Sequence, residues 1–269
     1  MTDDLEPDLR LALDLADLAD TISVERFRAS DLVVSTKPDL SPVTDADKAV
    51  ESAIRDALEQ QRPQDSVYGE EFGTAGSGRR QWIVDPIDGT KNFVRGVPIW
   101  ATLIALAVDG VPVVGVVSAP ALARRWWAAQ GLGAYVRNGG IGEAGASNRA
   151  GVRRIQVSQV ADLGDASIAC SGITRWEQAG KLEQYLALCR RAWRTRDFGD
   201  AWPYMMVAEG LVDVAGEYEL QPYDMAALVP IVREAGGSFT SVEGEPDIWH
   251  GSALATNGLL HAAALHALA

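Results

Sequence analysis

The sequence predicts an α+β fold, and three observations carry that expectation. Helical apolar periodicity opens the chain, an unmistakable hairpin occupies its middle, and strands and helices alternate through its second half. Leu5, Leu9, Ala12, Leu13, Ala16 and Ala19 recur at helical spacing and give an opening amphipathic helix. The stretch "VVSTKPDLSPVTDADKAV" follows, and its Lys-Pro and Ser-Pro steps read as an irregular loop. Thr44 then looks like a helix N-cap, with Asp47 in the capping-box position three residues on. Ala46, Val50, Ala53, Ile54, Ala57 and Leu58 form the apolar stripe of that second helix. "QWIVD" predicts a short strand, and "TLIALAV-DG-VPVVGVV" a hairpin turning at Asp109-Gly110. "RRWWAAQ" and "GAYVRNG" extend the sheet. Residues 139–151 are small and polar; they predict a loop and a boundary between halves 1–145 and 146–269 of one compact unit, with a strand resuming at "IQVS".

In the second half, "ASIAC" predicts a strand and residues 176–192 a helix. "DAWPYMMVAEG" predicts a helix capped by Asp200, with Pro203 in the first turn, where its missing donor costs nothing. "LVDVAGE" predicts a strand. "DMAALVPIVREAGG" predicts one helix from Asp224 to the Gly236-Gly237 stop, bent at Pro230. "SFTSVEG" and "SALATN" predict strands, and "LLHAAALHAL" a closing helix.

Bulk composition narrows the function. The 269 residues are 47% apolar, enough for a substantial core and too many for disorder. The net charge of −13 argues against a nucleic-acid partner, because backbone phosphates need a basic face. It also poses a puzzle if the substrate carries phosphate, since only local cations could then attract it. The acidic N-terminus lacks the apolar core of a secretory signal. The most apolar stretch is broken by Asp109, Gly110, Pro112 and Pro120, well short of the ~20 uninterrupted residues of a spanning helix. Cys170 and Cys189 have no Cys-x-x-Cys partner and read as reduced core thiols, so a cytoplasmic location is expected. His250, His261 and His266 lack metal-ligand spacing and read as surface or packing residues.

Acidic residues gather where elements begin or end: Asp47, "GEE" at 69–71, Asp85 with Asp88, and Asp224. For three of these, two readings stay open. Asp47 and Asp224 serve either as caps or in a site, and Glu70-Glu71 form either a solvated turn or a ligand pair. Asp85 and Asp88 are harder to read as a turn, because the apolar run "WIV" enters Asp-Pro-Ile-Asp-Gly-Thr with no solvating residue between. Pro86 fixes the backbone so that both carboxylates and the Ile87 carbonyl can face one way. Such oxygens suit a hard cation like Mg²⁺. Gly89 and Thr90 offer N–H groups and a hydroxyl at a helix start, a natural anion site. The Asp-x-Asp nucleophile of haloacid-dehalogenase-type phosphatases does not fit: the spacing here is Asp-x-x-Asp, with Ile87 where the second Asp would stand.

"GEE" at 69–71, "WIVDPIDGTKNF" at 82–93 and "YDMAALVPIVREAGG" at 223–237 resemble the three signatures of the inositol monophosphatase family; "SPVTDAD" and "GAYVRNG…IQVS" fit as well. The resemblance covers nearly the whole chain. It implies an αβαβα layered sandwich, commonly in a homodimer, and Mg²⁺-dependent, lithium-sensitive phosphomonoesterase activity on a small phosphorylated metabolite. It further implies that Glu70, Asp85, the Ile87 carbonyl, Asp88 and Asp224 hold two or three Mg²⁺ ions. Gly89 and Thr90 would bind phosphate, Thr90 and Asp47 would orient and deprotonate the attacking water, and Glu217 would face the alcohol. Tyr223 replaces the usual Trp before Asp224, a change that leaves the ligand itself in place. Bound metals would also answer the charge puzzle, since they supply the positive field that the chain lacks.

"RDFGDAWPYMMVAEGLVDVAGE" is most similar to the histidinol-phosphate phosphatase branch, which carries Gly-Asp where inositol enzymes carry a small or hydroxyl residue. Physics agrees: the Asp200 carboxylate can pair with a cationic alcohol such as histidinol, which a neutral inositol does not require. Asp200 as a simple N-cap is the competing reading. The alternatives are an inositol-1-phosphate or broad sugar-phosphate phosphatase of the same family and, outside enzymes, a cation or phosphometabolite sensor. Lys37, after the "VVST" run, is expected to approach the site.

Overall fold

The computed structural model describes residues 4–38, 40–139 and 151–269. Five layers stack helix, sheet, helix, sheet, helix, as the α+β sandwich expectation requires. The first layer is the helix pair Glu6–Arg26 and Asp45–Gln61. Leu11, Leu15, Val50, Ile54 and Leu58 face inward from this pair and pack on Trp82, Val84, Ile104 and Val116 of the sheet beneath. Thr44 caps the second helix: its hydroxyl accepts from the Ala46 and Asp47 N–H groups, and the Asp47 carboxylate accepts from the Thr44 N–H.

The second layer is an eight-stranded sheet. Its centre is Arg80–Asp88, Ala101–Val108 and Val111–Ala119, joined antiparallel. Asp109 and Gly110 turn the predicted hairpin with positive φ at both positions, the geometry that matches strand twist. Arg124–Ala129, Gly133–Asn138 and Val152–Arg154 continue the sheet on one side. On the other side Ser66–Gly69 pairs parallel to Arg80–Asp88, then antiparallel to Gly73–Ala75. The boundary expected at residue 145 lies outside the described residues, as does most of the expected 139–151 loop; the sheet itself recruits Val152–Arg154 from beyond it.

The middle layer holds Trp202–Ala208, Pro222–Met225 and Leu228–Glu234, buried between the two sheets with Met205, Leu228, Ile231 and Phe239 in one core. The five-stranded sheet runs in the order Arg194–Thr195, Ser167–Cys170, Val214–Tyr218, Ser252–Thr256, Ser238–Thr240. Its first three strands are parallel and the rest antiparallel. Ile173–Gln178, Leu182–Arg191 and His261–Leu268 cover its outer face. Among the described residues no helix is long and apolar enough to cross a membrane.

Several local expectations are corrected. The "VVST…SPVT" loop is a small hairpin, Val34–Thr36 on Pro42–Thr44, closed by the Lys37 N–H on the Ser41 carbonyl at 2.8 Å. "QWIVD" extends through Pro86 to Asp88 as one strand, with a bulge between Asp85 and Asp88 where proline cannot donate to the ladder. "IQVS" is not a strand; the Ile155 and Val157 N–H groups leave for Ala134 and Ala235, and the strand is Val152–Arg154. Residues 176–192 contain two helices, separated at Gly180 by its φ of +70°. Ala201, not Asp200, occupies the N-cap position of Trp202–Ala208. The helix expected from Asp224 starts at Pro222 and divides after Met225, with Gln221 as its N-cap and Asp224 closing the capping box. Pro230 explains the division, because it lacks the N–H that would bond the Ala226 carbonyl. Gly115 of the sheet sits directly beneath this kink. A Cβ there would overlap the Ala227 carbonyl and the Pro230 ring, so Gly115→Ala should lower stability by ~1–3 kcal/mol, read as a reduced denaturation midpoint at unchanged slope. Cys170 is buried as expected, whereas Cys189 is only half-buried.

Candidate metal centre and substrate cleft

One strand and one helix start deliver the three clustered aspartates. Asp85 and Asp88 end the strand Arg80–Asp88, and the intervening bulge keeps both carboxylates on the cleft side. Asp224 arrives from Pro222–Met225, held by the Gln221 N–H on its Oδ2 at 2.7 Å. One oxygen from each of Asp85, Asp88 and Asp224 falls within 4.8 Å of the others. Asp88 Oδ2 accepts from the Ala201 N–H at 2.6 Å, while Asp85 Oδ1 is buried with no partner. Burial, reinforced by the facing carboxylates, pushes Asp85 and Asp88 well above the usual carboxylate range and Asp224 up to about 7. An orphaned buried oxygen among mutually repelling carboxylates, with no nitrogen or sulfur donor in the cluster, is the donor set of a hard cation. The residues present therefore fit a metal ion.

Glu70 stands against Asp85, its carboxyl facing that of its neighbour. It follows Gly69, whose closeness to the chain is required: a Cβ at Gly69 would overlap the Glu51 carboxylate. Glu51 is fully buried and accepts from the Glu71 and Phe72 N–H groups at 2.7 and 3.2 Å. Residues 70–72 thus hang from helix Asp45–Gln61 rather than forming a solvated turn. Lys37 reaches in from the small hairpin to place Nζ 2.7 Å from both Glu70 Oε1 and Glu71 Oε1. Burial alone would push Lys37 down, but the two carboxylates outweigh it and hold the ammonium above the usual lysine range.

Beside the cluster, Gly89 takes a φ of +84° and starts helix Thr90–Arg95. The first N–H groups of a helix have no partner within it, so this turn faces the cleft with donors. Thr90 Oγ1 lies 3.0 Å from the Ile87 carbonyl and 3.3 Å from Asp47 Oδ1. Asp47 is completely buried; its Oδ2 accepts from the Thr44 N–H and hydroxyl at 2.8 and 2.5 Å, and burial pushes its pKa up against those bonds.

Asp200, Glu217, Arg175 and Tyr204 also line the cleft, which encloses about 180 Å³. Asp200 packs against Gly89 with a φ of +53°, and its Oδ2 accepts from Asn92 Nδ2 at 3.0 Å. Burial raises it to about 6, with Arg175 and Lys91 pulling the other way. Arg175 Nη1 donates to Glu217 Oε1 at 2.8 Å; burial nevertheless raises Glu217 to about 8. Every residue expected in the site except Asp47 lines the cleft, and Asp47 reaches it through Thr90.

The sequence reading missed Glu51, Asn92, Arg175 and Tyr204. Glu51 left a signal: it sits among Val50 and Ile54 on the buried stripe, one turn after Asp47. Tyr204 left none, because a tyrosine in "PYMMVA" reads as core.

The chain belongs to the inositol monophosphatase family, whose model matches residues 4–269. It is 55% identical over 258 residues to a protein of Streptomyces coelicolor named histidinol-phosphatase, covering 94% of each chain. It is 56% identical over 256 residues to a histidinol-phosphatase of Mycobacterium tuberculosis, covering 94% of this chain and 95% of that one. Among solved structures, an inositol monophosphatase from Zymomonas mobilis superposes with a TM-score of 0.83 at 33% identity over 98% of each chain.

Proposed function

We propose that this chain is a Mg²⁺-dependent phosphomonoesterase that hydrolyses L-histidinol phosphate to L-histidinol and phosphate. The observation that carries the reading is the carboxylate cluster of Asp85, Asp88 and Asp224 around an unpartnered oxygen, directly beside the Gly89-Thr90 helix start. Glu70, Asp85, the Ile87 carbonyl, Asp88 and Asp224 would hold two or three Mg²⁺ ions. When bound, such ions polarise the phosphoryl oxygens and make a water nucleophilic at neutral pH. The Gly89 and Thr90 N–H groups hold the phosphate. Thr90 Oγ1 orients the attacking water and relays its proton toward Asp47, whose raised pKa suits a general base.

For the alcohol, Asp200 supports a cationic group. Among the described residues its only side-chain partner at hydrogen-bonding distance is the neutral amide of Asn92, with no cation bonded to this carboxylate of the cleft wall. The names of the relatives at 55–56% identity support the same choice. Histidinol carries an ammonium and an imidazole, either of which can answer Asp200 by a charge-assisted bond. We further read the enzyme as a cytoplasmic homodimer of histidine biosynthesis, built from halves 1–145 and 146–269.

The test is phosphate release from histidinol phosphate, inositol 1-phosphate and sugar phosphates, with and without Mg²⁺. Mg²⁺-dependent turnover with the highest kcat/KM on histidinol phosphate is expected; preference for inositol 1-phosphate would sink the substrate assignment. In Asp200→Asn, kcat/KM on histidinol phosphate should fall about 10- to 100-fold, the worth of a hydrogen bond to a charged group, with little change on inositol 1-phosphate.

A further inference from the structure

Six buried side-chain polar atoms among the described residues have no hydrogen-bond partner. Only two of them belong to residues that line the cleft: Asp85 Oδ1 and the Tyr204 hydroxyl. The first would be answered by the metal ion proposed for the cluster. The second would not be, because a neutral phenol is a poor ligand for a hard cation already offered carboxylates.

Tyr204 is 2% exposed, held by the middle-layer helix Trp202–Ala208 with its ring 5.8 Å from that of Phe239. Its ring is fixed by core packing, the residue lines the cleft, and its buried hydroxyl meets no protein acceptor. Other buried hydroxyls are satisfied: Ser118 reaches Asp20, Thr102 the Pro86 carbonyl, and Thr44 Asp47. A buried hydroxyl left unmade costs about 1–3 kcal/mol, so its retention calls for a partner that arrives later. Burial, reinforced by the charges of Glu217, Asp224 and Asp88, keeps the phenol protonated.

We propose that Tyr204 is a substrate-binding residue whose hydroxyl oxygen accepts a hydrogen bond from a primary ammonium on the alcohol, alongside the carboxylates of Asp200 and Glu217. An ammonium has three N–H donors, and Asp200, Tyr204 and Glu217 offer three acceptors in the lining of the cleft. Glu217 keeps one oxygen on Arg175 and has the other left for the substrate. The inference rests on the reading of the substrate as an amino-alcohol phosphate, and it goes further by assigning the amine, not the imidazole, to these acceptors.

The experiment compares wild type with Tyr204→Phe as Mg²⁺-loaded full-length enzymes on three esters. These are L-histidinol phosphate, its deamino analogue 3-(imidazol-4-yl)propyl phosphate, and inositol 1-phosphate. In the variant, kcat/KM on histidinol phosphate should drop about 10- to 100-fold, chiefly in KM, while the deamino ester changes less than about twofold. Its Tm should stay level or rise, since phenylalanine removes an unsatisfied group without changing shape. An unchanged kcat/KM on histidinol phosphate would overturn the assignment. Equal losses on both imidazole esters, or a lower Tm with losses on all three, would overturn it too, by making the hydroxyl structural or a contact to the shared part of the substrate. A wild type that favours inositol 1-phosphate refutes the substrate reading and the inference together; a wild-type amine preference that survives in the variant refutes the inference alone.

Discussion

Asp88→Asn should reduce kcat/KM by about 1,000-fold at saturating Mg²⁺ while leaving the fold intact and raising the Tm of the metal-free protein. The magnitude follows from the several kcal/mol that metal-assisted charge stabilisation contributes, each ~1.4 kcal/mol being tenfold in rate. The retention of fold follows from geometry. Asp88 Oδ2 accepts from the Ala201 N–H, which ties the middle-layer helix to the end of the central strand. Asparagine keeps an acceptor oxygen for that bond and has nearly the same shape. What it loses is the charge, which in the absence of metal is a liability: burial and the nearby Asp200 and Asp224 disfavour its ionised form. Removing that repulsion should stabilise the metal-free cluster; removing a proposed ligand should weaken the loaded one. Titration calorimetry with Mg²⁺ should show lost or weakened binding, and thermal melts in chelator should show the gain. Near-wild-type turnover, with undiminished Mg²⁺ binding, would exclude Asp88 as a ligand.

How much of this centre was legible in the sequence depends on how local each cause is. The Asp109-Gly110 hairpin, the Thr44 capping box and the Gly89-Thr90 helix start are short-range geometry, and all three stand where the sequence puts them. Asp85 and Asp88 were legible because an apolar strand ended on them without a solvating residue. The errors share a different physical origin. Pro230 divides a helix whose apolar periodicity is continuous, and the site of division is settled by a missing hydrogen bond and by Gly115 from a distant strand. Asp200 precedes a helix as a cap would, but its side chain turns to Asn92, 108 residues earlier in the chain. The Lys37 bridge to Glu70 and Glu71 and the Arg175 bridge to Glu217 link positions more than thirty residues apart, which no local pattern encodes. Tyr204 was invisible for a further reason: its significance is an absent bond, and absence of a partner is a property only of the folded chain.

The same crowding of acids makes the metal-free protein sensitive to pH in a direction that can be worked out. Burial raises Asp200 to about 6, Asp224 to about 7 and Glu217 to about 8 in the folded chain. In the unfolded chain, Asp and Glu titrate near ~4. Between those limits the native state holds more protons than the unfolded state, so stability falls as pH rises, by ~1.4 kcal/mol per pH unit for each group fully in that window. Below pH ~4 both states are protonated and the contribution is complete; above pH ~8 it is gone. In chelator, Tm should therefore decline steadily from pH 5.5 to 8.5. Mg²⁺ held by this cluster would act in the opposite sense, because it would bind the ionised carboxylates and displace their protons, so its affinity should grow with pH. At a hundredfold excess over its dissociation constant it adds ~2.7 kcal/mol. The Tm difference between Mg²⁺ and chelator should widen from pH 5.5 to 8.5, and in Asp88→Asn it should shrink at every pH. A metal-free Tm that climbs across this range would mean that the acids are already compensated within the protein. An Mg²⁺ increment independent of pH would mean that the ion binds elsewhere than on these protonated carboxylates.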